Sequence, residues 1–165
     1  MANDHKAKTY PKPMPIRALV FWTGLFGGLF WSAIGWLGYY FNFTEIRPNV
    51  ILEPWALGNW KYGWVGTLIS IIIFGVISVV AAFIYYAALR KFTGFWVGFG
   101  YGIVLFLLVF VVLNPLFPSI DPIVDLSRDT LITSICLYIV YGIFIGYSIN
   151  YEYQNTEMMA KETSS

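Results

Sequence analysis

One cysteine, one histidine and few charges define this 165-residue sequence by what it leaves out. The lone Cys136 lies in an apolar run, so no disulfide can close within one chain. With His5 the sole histidine, the common zinc sites are excluded within a chain. Charged residues make up 12% of the sequence, where soluble domains carry about 25%. A net charge of +1 argues against nucleic acid as a partner. No Asp, Glu, Lys, Arg or His falls deep in the long apolar runs, and those are the groups that mark proton relays and ion paths. Ser70, Ser78 and Ser134 have no base near them in sequence to activate a hydroxyl, and Cys136 reads as a small packing residue. Accordingly, no catalytic, cofactor-binding or metal-binding residues are expected.

What is present is apolar surface: 58% of residues are hydrophobic and 20% aromatic. Gly94 to Asn114 carries no charge. At about 1.5 Å per residue it is roughly 30 Å long as a helix, the thickness of a bilayer's hydrocarbon core. Three other stretches repeat that design. The expected fold is all-α: a polytopic membrane protein with a four-transmembrane-helix bundle, helices about 17–41, 62–89, 94–114 and 130–150. A basic tail, 1–16, precedes it, kept extended by Pro11, Pro13 and Pro15, and a polar tail, 151–165, follows. The first apolar run is too long for a signal peptide, and no lipidation motif is present.

Small residues recur at helical spacing and predict where helices touch. The candidates are Gly24, Gly28 and Gly35 on the first helix, and Gly63 and Gly66 on the second. Gly94, Gly98 and Gly102 mark the third, and Gly142 and Gly146 the fourth. Gly27, Gly38 and Trp31 fall in the same arc as the first set. On the second helix Thr67, Ser70, Ser78 and Ala81 share the glycine face. Arg90 and Lys91 form so short a turn that helices two and three should pack as an antiparallel hairpin. Asp121, Asp125 and Asp129 are spaced to line one face of a surface helix, although Pro122 interrupts it; Ser127 or Asp129 could cap the last helix.

Lys and Arg number four before the first span, two in the 90–91 turn and one after the last, against three in the two longer connections. That bias places both termini in the cytoplasm. Phe21-Trp22-Thr23-Gly24 with Gly28 parallels Phe95-Trp96-Val97-Gly98 with Gly102, so two parallel hairpins are an open alternative to coincidence.

Several whole segments carry a resemblance. Trp31 to Asn49 (WSAIGWLGYYFNFTEIRPN), Trp60 to Gly66 (WKYGWVG), Leu113 to Ile120 (LNPLFPSI) and Cys136 to Tyr153 (CLYIVYGIFIGYSINYEY) are similar to the YqhR family of conserved bacterial membrane proteins. The resemblance implies a multi-pass protein of the bacterial plasma membrane and brings no catalytic motif. Two functions follow as expectations. One is a non-enzymatic protein acting by contact with the lipid bilayer, a homo-oligomer or another membrane protein. The other is an oligomeric small-solute transporter or channel subunit, for which a water path lined by Thr67, Ser70 and Tyr138 would speak.

Overall fold

A computed structural model describes residues 14–92 and 94–164. Most of the basic tail, with His5, Pro11 and Pro13, lies outside the described residues. Four helices are long and apolar enough to cross a membrane: α1 (Ile16–Tyr40), α2 (Trp64–Leu89), α3 (Phe95–Leu107, extended by a wider turn to Val112) and α4 (Arg128–Ser164). No strand forms among the described residues. The end of the bundle where α1 begins and α2 stops is called the terminal end below. The opposite end carries the two long connections and is called the connection end.

The helices show reversed amphipathicity. On α2, Gly66, Ser70, Gly75, Ser78 and Ala82 are buried, while Leu68, Ile72, Val76 and Val80 are exposed. In hydrocarbon nothing drives large apolar side chains inward, so small groups take the contact faces, where backbones can approach. Two apolar cores result. Val20, Ala82, Tyr85, Tyr101, Ile145 and Ile149 fill the terminal end. Phe106, Phe110, Phe117 and Ile120 fill the connection end, with Ile46 and Val50 of the first connection packed on them.

Three boundaries differ from the sequence reading. The third helix keeps α-geometry only to Leu107; Leu108–Val112 is a π-turn in which Leu113 N–H donates to the Leu108 carbonyl. Pro115, which lacks an N–H, follows at once and ends the run. The second helix starts at Trp64, because Asn59–Tyr62 is a separate 3-10 turn. Residues 151–164 are not a separate tail: α4 runs straight through them.

Pairing differs too. The short Arg90–Gly94 turn reverses the chain, yet α2 and α3 scarcely touch along their lengths. Instead α1 packs on α2, α3 packs on α4, and α1 lies against α4. The glycine faces of α2 and α3 point at different partners, so adjacency in sequence does not make them a packed pair.

Candidate functional site: glycine crossings and a hydroxyl seam

Each hairpin closes at a glycine crossing. A methyl group on Gly24 would lie 2.8 Å from Val79 Cα, and one on Gly28 would lie 2.8 Å from Gly75 Cα. In the other hairpin a methyl on Gly98 would lie 2.9 Å from Ile143 Cα, and one on Gly102 would lie 2.7 Å from Ile139 Cα. Gly142 faces the Gly98 carbonyl and the Gly102 backbone, and Gly146 faces Gly98 Cα. These separations are below any real Cβ contact, so glycine is required for the backbones to meet.

The remaining predicted packing residues behave differently. Gly35 has only Leu137 nearby, at 3.9 Å, so no close helix approach depends on it. Gly63 caps α2 and meets only the Trp60 carbonyl of the preceding turn. Gly66 packs on the backbone of Lys61, in its own connection, rather than on another helix. Gly94 has open space around it and a φ of 145°; its role is the turn into α3, where the backbone needs a left-handed conformation. Gly27 turns to Phe144 of α4, so the glycine arc of α1 serves two partners. Trp31 sits on a groove wall between α1 and α4 instead of among the α1–α2 contacts. Gly75 lies outside the predicted packing set, although its place three before Ser78 on the small-residue face was a usable signal.

Between the hairpins, apolar contacts such as Gly27 on Phe144 are joined by side-chain hydrogen bonds, mostly from hydroxyls. Ser78 Oγ donates to the Gly24 carbonyl at 2.6 Å, which leaves Tyr141 to donate its phenol to Ser78 at 2.5 Å. Tyr101 Oη donates to the Ala81 carbonyl at 2.7 Å. Asn150 Nδ2 donates to Tyr85 Oη at 3.0 Å and to the Phe92 carbonyl at 3.1 Å, tying the α2–α3 turn to α4. At the connection end, Thr133 Oγ1 donates to the Phe43 carbonyl at 3.0 Å, and Glu45 N–H donates to Thr130 Oγ1 at 2.9 Å. Tyrosine or asparagine inside an apolar helix gave no sign in the sequence of which partner it would meet.

The other polar candidates are held locally. Thr67 Oγ1 donates to Asn49 Oδ1 in the first connection, and Ser70 donates to Gly66 of its own helix. Tyr138 packs on the rings of Phe106 and Phe110. The three therefore line no common path. Residues 121–127 form turns, not a helix, so Asp121, Asp125 and Asp129 share no face. Among the described residues no three acidic, histidine or cysteine side chains gather as metal ligands. Ser127 accepts from Thr130 N–H at the start of α4. Cys136 is exposed on the wall of the α1–α4 groove, a cavity of about 440 Å³ with almost wholly apolar walls, and is not a buried packing residue. Arg90 lies over the rings of Tyr86 and Tyr153, 5.0 and 5.7 Å from their centroids.

A family model described as "Conserved membrane protein YqhR" matches residues 2–164. A protein of Bacillus subtilis (strain 168), described as "Uncharacterized protein YqhR", is 45% identical over 161 residues, covering 96% of this chain and 90% of the relative. No solved structure matches.

Proposed function

This chain belongs to the YqhR family of conserved membrane proteins, and from that premise we propose that it is a non-enzymatic component of the bacterial plasma membrane. It acts by contact, as a scaffold or accessory subunit, with both termini in the cytoplasm. The carrying observation is the use made of the buried polar groups. The hydroxyls of Ser78, Tyr101 and Tyr141, and the amide nitrogen of Asn150, are engaged in joining helices. Groups so engaged hold a shape rather than a substrate. Asp, Glu, Lys and Arg side chains stay outside the apolar middle of the spans, where a charge is costly.

A contact role also suits the long α4. It continues for fourteen residues past Asn150, to Ser164, roughly 20 Å at 1.5 Å per residue. On that helix Tyr147 and Tyr151 stack, and Tyr147, Tyr151 and Met158 are more than half exposed.

Site-specific photocrosslinking in native membranes tests this. A photoreactive residue is placed in turn at Ile72, Val104, Tyr147 and Met158. Capture of one and the same membrane protein from a contiguous subset of positions is the expected result. Lipid adducts alone at every position, together with solute flux in proteoliposomes, would replace the contact role with transport.

A further inference from the structure

The two hairpins share one internal register. The Gly24 crossing meets residues 78, 79 and 82, and the Gly98 crossing meets 142, 143 and 146. The Gly28 crossing meets 74, 75 and 78, and the Gly102 crossing meets 138, 139 and 142. A single offset of 74 carries α1 onto α3, and a single offset of 64 carries α2 onto α4. The same offset pairs two further buried serines, Ser70 and Ser134. A glycine pair four apart at the crossing of both hairpins, and a buried serine matched at the same offset, are what two copies of one unit would keep.

Seam positions break the match. On the second hairpin the seam is formed by Tyr101, Thr130, Thr133, Tyr141 and Asn150. Their counterparts on the first hairpin are Gly27, Gly66, Ile69, Ile77 and Tyr86. Four of those five carry no side-chain hydrogen-bonding group. A copy of the first hairpin set in the second's place would leave Ser78 facing Ile77 and offer nothing to the Ala81 carbonyl. That arrangement forgoes the bonds from the second hairpin to Ser78 and to the Ala81 carbonyl, which disfavours it.

We infer that the chain is a tandem of one two-helix hairpin, and that the hydroxyl seam makes the first hairpin a docking surface for the second hairpin and not for another copy of itself. Glycine crossings make each hairpin a rigid body; the apolar contacts between hairpins hold them together, and the seam hydrogen bonds select the partner. The crossing glycines of α1 and α3 stay matched, Gly24 with Gly98 and Gly28 with Gly102, because each hairpin must close by itself. Seam residues differ because they serve recognition.

Distance measurements between spin labels on the full chain in nanodiscs test this. Labels at Phe26→Cys with Val76→Cys report the first hairpin, and Val104→Cys with native Cys136 the second. Phe26→Cys with Cys136, and Val76→Cys with Val104→Cys, report across the seam; Cys136→Ser is added where Cys136 carries no label. The seam is weakened by Thr130→Val, Thr133→Val and Tyr141→Phe, which keep side-chain shape. Loss of three bonds across the seam, one between helices and two to the first connection, should raise the population of separated hairpins roughly twentyfold. The two cross-seam distributions then broaden while the two within-hairpin distributions stay narrow. Ser70→Ala, which removes a hydroxyl bonded within its own helix, should change none of the four. Broadening of all four together would make the bundle one body and overturn the inference. So would unchanged cross-seam distances in the triple variant alongside a broadened 104–136 distance in Gly102→Leu, which shows that the labels detect opening.

Discussion

Gly102 and Ile139 meet backbone to backbone: a methyl group on the glycine would lie 2.7 Å from the isoleucine Cα. No rotamer change relieves such a contact, because both partners are main chain. Gly102→Val should therefore force α3 from α4 and lower stability by about 1–3 kcal/mol or more, as overpacked sites do. Gly100→Ala, two residues away in the helix interior with nothing within 4 Å, is the control and should leave stability equal or slightly raised. Unfolding titrations in mixed detergent micelles measure both. Equal loss in the two variants would contradict the crossing.

The phenol of Tyr141 has one role, donation to Ser78 at 2.5 Å. Tyr141→Phe keeps the ring and removes the bond, for an expected loss of roughly 0.6–1.7 kcal/mol, the measured range for single interhelical bonds in a membrane protein. Ser78→Ala should cost more, since it also strips the donor from the Gly24 carbonyl. In the double variant the second change should add less than it does alone, because the two hydroxyls share a bond. Additive losses would mean that the bond contributes nothing.

Asn49 is 3% exposed and holds the first connection in shape. Its amide donates to the carbonyls of Lys61 and Gly63, and its oxygen accepts from Thr67. Asn49→Leu takes the side-chain donor from the Lys61 carbonyl and the acceptor Oδ1 from Thr67, at an expected cost of about 1–3 kcal/mol. Amide hydrogen exchange over residues 59–67 should rise in the variant, while exchange in the middle of α4 stays as it was. Unchanged exchange in 59–67 would show that the turn is held by something else.

A reporter fused after Ser165 should be active only on the cytoplasmic side, as should one fused ahead of Met1. Both follow from seven Lys and Arg at the terminal end against three at the connection end. Activity outside the cell from either fusion would invert the topology. A cysteine-accessibility measurement at Trp55 of the first connection, 85% exposed, checks the opposite face.

Parts of this architecture were legible because they depend on one segment at a time. Four spans follow from apolar length, and the crossings on α1, α3 and α4 follow from glycines four apart. The extension of α4 was legible in principle, since no Gly or Pro interrupts the sequence after Gly146. Its polarity disguised it as a tail, although a helix already begun propagates readily through such residues. Gly63, Gly66 and Gly94 looked like packing residues by composition, yet serve the turns and connections beside them.

Residence in the membrane and the number of spans were determined by the amino-acid sequence alone, because hydrocarbon sorts each segment by its own apolarity whatever lies beside it. Tertiary structure decided which helices pair, that α2 turns from α3 to α1, and which carbonyl each hydroxyl meets. Those outcomes depend on groups dozens of residues apart arriving at hydrogen-bond distance, and no local pattern encodes that arrival.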